Sequence, residues 1–175
     1  MNRKKIAACL ALAIAFQLTV LAAEYLGAVY PLWTGKEIRL KVVPVDPRSL
    51  FRGNYARLRY AISSIELKVQ GEKGSVRQGD FVYVKLKPGP DEFFVVDGAS
   101  FERPESGAFI RGRLQAPDIR PNGGKYEVRY GIEAWFASPE KAVAMEKELR
   151  RGAMAVVMVS ASGKATLKEV VAEGR

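Results

Sequence analysis

The chain begins with a block that is apolar all round and then changes to two-residue alternation. Residues 6–23, "IAACLALAIAFQLTVLAA", carry no charge, and Gln17 and Thr19 are their clearly polar positions. Eighteen residues is near the lower end of what crosses a bilayer as a helix, where about 20 is typical. Apolar character resumes after Glu24 in "YLGAVYPLW", and Tyr25, Tyr30 and Trp33 suit a membrane–water interface. Beyond Trp33 the period becomes two. "EIRLKVVPV" sets Ile38, Leu40 and Val42 against Arg39 and Lys41, a half-buried strand that Pro44 and Pro47 limit. "ARLRYAI" places Leu58, Tyr60 and Ile62 opposite Arg57, Arg59 and Ala61, and "SIELKVQ" continues it or begins another strand. "FVYVKLK" sets Val82, Val84 and Leu86 against Phe81, Tyr83 and Lys85. "FFVVDGASF" and "AFIRGRLQA" form the next pair, and "KYEVRYGIEAWF" reads as one long strand. "AMAVVMVSA" and "ATLKEVVAE" close the chain around a Ser-Gly hairpin signal.

One segment after Trp33 has helical character. In "SPEKAVAMEKELRRG", Ser138 suits the N-cap, Pro139 the first helical position and Gly152 the stop, while Ala142, Met145 and Leu149 make an apolar stripe. Eight or nine short strands and one helix predict a mainly β domain, barrel- or sandwich-like, with one packed α-helix, preceded by an N-terminal transmembrane helix. Residues 1–33 are then a basic start and a membrane anchor or signal segment, and residues 34–175 a mainly-β domain. The short stretch joining the two is the one expected linker. No internal repeat stands out.

Charge adds an orientation. The net charge is +9, and Arg3, Lys4 and Lys5 lie ahead of the apolar run. Basic residues before a span favour a cytoplasmic N-terminus, so the chain reads as a single-pass protein of the inner membrane with a periplasmic or otherwise extracytoplasmic domain. The apolar run exceeds the roughly 7–15 residues of a signal-peptide core, which favours a retained anchor over cleavage near Ala23. Cys9 has no apolar stretch before it, so it does not read as a lipidation site. The remainder of the chain is itself basic, which suits anionic partners such as lipid headgroups or envelope polymers. Nucleic acid is disfavoured by export. With no histidine and one cysteine, zinc sites and intrachain disulfides are not expected, and no cofactor is.

The densest chemistry lies in "PRSLFRGNYARLRY", where Arg48, Arg52, Arg57 and Arg59 fall within twelve residues. Gly53-Asn54 suits a turn before a strand. The stretch Gly53-Asn54-Tyr55-Ala56-Arg57-Leu58-Arg59-Tyr60 resembles the signature of the GDYXXLXY family of bacterial membrane-anchored proteins, with Asn54 where the family name carries aspartate. "VPVDPRSLFRG", which contains Asp46, is similar to the family's approach to that signature. "GDFVYVKL", "IRGRL", "RYGIEAWF" with Tyr130, Gly131 and Glu133, and a helix bearing Glu146 resemble its remaining blocks in order. The resemblance implies an N-terminal membrane segment, a β-rich exported domain, and genes often placed beside multi-pass membrane proteins. It brings no catalytic residues. Asparagine at 54 keeps the turn and an acceptor oxygen but removes a negative charge.

Arginine forks suit phosphate or carboxylate, so the cluster predicts an anion site. The plainer reading pairs these arginines with Asp46, Glu66 or Glu133. Glu133, among large apolar residues, is expected to be partly buried with Arg52 as its partner. Asp46, Asp80, Glu133 and Glu146 offer carboxylate pairs, but no spacing selects one. The leading expectation is a non-catalytic accessory or interaction domain that partners a multi-pass membrane protein. An envelope hydrolase using a carboxylate pair and a module binding anionic lipid or envelope polymer are the alternatives.

Overall fold

The computed structural model describes residues 3–43, 55–66, 76–115, 125–136 and 152–172. Helix α1, Arg3–Thr34, is long and apolar enough to cross a membrane, and none of its most apolar window is buried by the rest of the chain. It does not stop at residue 23. The apolar run from Tyr25 to Trp33 carries it on, and Gly35 alone separates it from strand β1, Lys36–Val43, so the expected linker is absent. A Cβ at Gly35 would strike the Pro31 carbonyl oxygen and press on the Val159 backbone, so only glycine fits this exit.

Pro31 lies inside α1 and has no N–H to give the Gly27 carbonyl four residues earlier. That carbonyl accepts a hydrogen bond from Lys164 Nζ at 2.8 Å. The proline gap therefore becomes a tie between helix and β domain.

Among the described residues ten more strands follow. They are β2 Tyr55–Arg57, β3 Arg59–Tyr60, β4 Ser64–Glu66, β5 Phe81–Pro88, β6 Phe94–Ser100, β7 Ala108–Leu114, β8 Lys125–Arg129, β9 Ala134–Phe136, β10 Ala153–Val159 and β11 Ala165–Ala172. Every pairing is antiparallel. The sheets run β11-β10-β1-β3, β4-β8-β7-β5-β6 and β2-β9, and together they make a nearly closed barrel. The alternation seen in the sequence fills its interior. Ile38, Leu40 and Val42 from β1, Val82, Val84 and Leu86 from β5, and Ile110 and Leu114 from β7 are all buried. The predicted helix over 138–152 lies outside the described residues, apart from Gly152.

Two expected strands are broken. "ARLRYAI" yields β2 and β3 and then a 3-10 turn at Ala61–Ser63, although Leu58, Tyr60 and Ile62 still point inward. "KYEVRYGIEAWF" yields β8 and β9 on either side of a turn in which Gly131 takes φ +83°. A left-handed residue ends a regular strand, and glycine takes that conformation without a Cβ penalty.

The two breaks are copies of each other. "LRYAI" at 58–62 matches "VRYGI" at 128–132 at an offset of seventy residues. The segments also pair with each other. Tyr55 faces Phe136 and Arg57 faces Ala134, while Ser64 faces Glu127 and Glu66 faces Lys125, all in one antiparallel register. The Leu58 N–H, donating to the Glu133 carbonyl at 2.7 Å, falls in the same register between them. Residues 55–66 and 125–136 are thus related by a local pseudo-two-fold axis.

Candidate functional site

Two reciprocal hydrogen bonds hold the axis. Tyr60 Oη donates to the Ile132 carbonyl at 2.5 Å, and Tyr130 Oη donates to the Ile62 carbonyl at 2.6 Å. Each tyrosine reaches the isoleucine two residues beyond its counterpart. Both rings are buried, and the kinks release the two isoleucine carbonyls from regular strand pairing. Burial first, and the Glu133 carboxylate second, push both phenols well above their usual value. Both therefore remain proton donors throughout the neutral range. The last tyrosine of the signature is fold machinery.

The turns are capped in the same paired way. The Tyr60 N–H donates to Ser63 Oγ at 3.2 Å. At the equivalent place, Glu133 Oε1 accepts from the Tyr130 N–H at 2.6 Å and Oε2 from the Gly131 N–H at 2.9 Å. Glu133 thus corresponds to Ser63, and a turn explains its place among apolar residues. It does not sit in a strand beside Trp135. Arg52, its expected partner, lies outside the described residues.

A depression of about 230 Å³ opens astride the axis. Its walls come in matched couples: Arg57 with Glu127, Leu58 with Val128, Arg59 with Arg129, and Ser63 with Glu133. Gln115 completes the lining. The charges break the symmetry. Arg59 Nε lies 3.4 Å from Glu127 Oε1, with both side chains about half exposed. The pseudo-symmetric counterpart of that pair is Arg129 with Arg57, two cations. Among the described residues neither has an ionic partner. The rim therefore has one completed ion pair and one place where an external carboxylate or phosphate would complete a second.

Of the residues singled out in the sequence, Arg57, Leu58, Arg59 and Glu133 line this depression, and Tyr60 and Tyr130 underlie it. Gly131 makes the turn. The backbone of Tyr55 begins β2. Asp46, Arg48, Arg52, Gly53, Asn54 and Glu146 lie outside the described residues. Arg59 pairs with Glu127 rather than with Glu66 or Glu133, and Asp46 lies outside the described residues. Glu127, Arg129, Ser63 and Gln115 were not picked out. Repetition of the Tyr-x-Ile triplet seventy residues apart was the signal that would have found the first three. Among the described residues no group of three acidic or sulfur ligands could hold a metal ion.

These features define a small barrel of broken antiparallel strands, carried on a helix able to span a membrane and closed by paired tyrosine latches. The GDYXXLXY protein family model matches residues 17–170, and the chain belongs to that family. No curated protein and no solved structure matches it.

Proposed function

We propose that this protein is a membrane-anchored, extracytoplasmic interaction domain. Its partner is a multi-pass membrane protein that presents an acidic group to the depression on the pseudo-two-fold axis. The observation that carries this reading is the missing half of the rim: Arg59 has Glu127, whereas Arg57 and Arg129 line the same depression without an ion pair among the described residues, the Glu133 carboxylate there being engaged by two backbone N–H groups. Arginine forks bind carboxylates bidentately, so an acidic side chain from a partner fits better than a diffuse charge. A hydrolytic reading draws less support. It needs an available carboxylate, and both Glu133 oxygens already hold backbone N–H groups.

The test is purification of tagged full-length protein from its own membranes in mild detergent, with mass spectrometry of what accompanies it. Wild type is expected to bring down one multi-pass protein in stoichiometric amount. Arg57→Ala with Arg129→Ala is expected to lose it while melting like wild type. A wild-type protein that emerges alone, or a variant that keeps its companion, sinks the proposal.

A further inference from the structure

Where α1 meets the barrel there is a second and larger opening. It is a notch of about 620 Å³ between the helix and the hairpin that joins β10 to β11. Leu26, Tyr30 and Pro31 line it from the helix, Ser160 and Ala161 from the hairpin, and Arg103 and Lys164 supply its cations. No carboxylate lines it.

Helix geometry sets its depth. From Ile6, the first residue after the basic start, to Gly27 the helix rises about 31 Å at 1.5 Å per residue. The hydrocarbon core of a bilayer is about 30 Å thick. If Arg3, Lys4 and Lys5 stand at one headgroup layer, Gly27 stands at the other. Tyr25, Tyr30 and Trp33 are exposed around that level, as residues of an interfacial belt are.

The two cations are held in place there. Lys164 is tied to the Gly27 carbonyl that Pro31 leaves open, which uses one of its three donors. Arg103 donates through one terminal nitrogen to the Ala161 carbonyl at 2.9 Å and lies 5.9 Å from the centre of the Phe109 ring. Among the described residues its other N–H groups have no hydrogen-bond partner. Lys164 also borders a depression ringed by Arg111, Arg113 and Arg129, again with no carboxylate on its wall. The cationic surface thus continues outward from the notch.

We infer that the notch is a site for an anionic phospholipid of the leaflet next to the barrel. The headgroup phosphate is held by Lys164 and Arg103 at the level of Tyr30, and an acyl chain passes Leu26 into the hydrocarbon. A soluble phosphate would meet the cations but not the apolar wall at membrane depth, so the bilayer is the source. The inference rests on the membrane-anchored part of the proposed function and not on the protein partner.

The test uses full-length protein in bilayers of mixed phosphatidylcholine and phosphatidylglycerol. Electron paramagnetic resonance of a spin-labelled trace of each lipid reports the fraction immobilised by the protein. Wild type is expected to prefer phosphatidylglycerol, and each cation removed is expected to lower that preference about five-fold. Arg103→Gln tests this without touching the Lys164–Gly27 tie, and Arg103→Gln with Lys164→Gln is expected to abolish the preference. Lys125→Gln, at the start of β8, is expected to keep it. Equal immobilisation of the two lipids by wild type, or a preference that survives the double variant, overturns the site. A Lys125→Gln loss as large as that of Arg103→Gln does so too. Alkaline carbonate extraction separates the two ideas. Protein released by carbonate overturns both anchor and lipid site, whereas membrane-retained protein without lipid preference overturns the lipid site alone.

Discussion

The tyrosine latches can be tested one hydroxyl at a time. Tyr60→Phe and Tyr130→Phe each keep the ring in its buried place and delete one donor, leaving the Ile132 or Ile62 carbonyl without that hydrogen bond. An unsatisfied buried acceptor costs about 1–3 kcal/mol. At about 3 °C per kcal/mol for a chain of this size, each variant should melt about 3–9 °C below wild type. The pseudo-two-fold axis adds a sharper expectation: the two variants should lose similar amounts. Because they act across one seam, the double variant should depart from additivity by about 0.5 kcal/mol or more. Trp33 and Trp135 provide the fluorescence signal for thermal melting of full-length protein in detergent, Trp135 being packed against the core.

The same variants have a pH signature. Burial raises both phenols, so the folded state keeps its protons to higher pH than the unfolded chain. Their contribution to stability is full below the ordinary value of 10.0 and declines as pH rises beyond it. The decline is about 1.4 kcal/mol per pH unit for each tyrosine. Wild type should therefore destabilise more steeply above about pH 10 than the double variant, which has lost both groups. All other groups are common to both proteins, so the difference isolates the tyrosines. A single variant that melts within 1 °C of wild type, or parallel alkaline slopes for wild type and double variant, would refute the latch.

Other outcomes follow from the turns around the axis. Glu133→Ala should cost about 1–3 kcal/mol by orphaning the Tyr130 and Gly131 N–H groups, and Glu133→Gln less, since one acceptor oxygen remains; thermal melting reads both. Gly131→Ala meets open space and should cost only about 1 kcal/mol for its left-handed backbone. Gly112→Ala should cost more, because its Cβ would strike the Val128 side chain and stand 2.9 Å from the Tyr130 ring; equal losses for these two glycines in a urea titration would contradict the packing described.

How far the sequence could be read depended on the kind of signal each element carried. Period-two burial was plain at Ile38, Leu40 and Val42, and at Val82, Val84 and Leu86, because each strand has one face in the barrel and one outside. Leu58, Tyr60 and Ile62 kept their inward parity even though the chain kinks through them, so alternation survived where regular structure did not. The kinks themselves were not legible. A 3-10 turn at Ala61–Ser63 and a left-handed Gly131 are stabilised by capping from Ser63 and Glu133 and by latches to the opposite segment, and tertiary hydrogen bonds leave no local period. Glu133 drew notice as a carboxylate among apolar residues, but its role depended on which N–H groups lay near. The arginine cluster was visible from composition. Its pairing was not, since Glu127 stands far along the chain from Arg59 and meets it only through the β4–β8 seam.

The axis also allows a substitution in which stability and binding should move in opposite directions. Arg57→Glu would give Arg129 the partner that Glu127 gives Arg59, making the rim symmetric in charge as it already is in backbone. Both positions are exposed, so the new pair should stabilise by no more than about 1 kcal/mol, at most a few degrees in melting temperature. If the open half of the rim is where an acidic group docks, the same change fills it from within and sets a negative charge against the incoming one, which costs several kcal/mol across an interface. The variant should therefore melt no lower than wild type yet lose its membrane-protein companion on purification. Arg59→Glu makes the contrast: it breaks an existing pair beside Glu127 and should not gain stability. A protein that keeps its companion with Glu at 57, or that melts markedly lower, would show that the two unpaired arginines are not the contact and that the pseudo-symmetry carries no functional meaning.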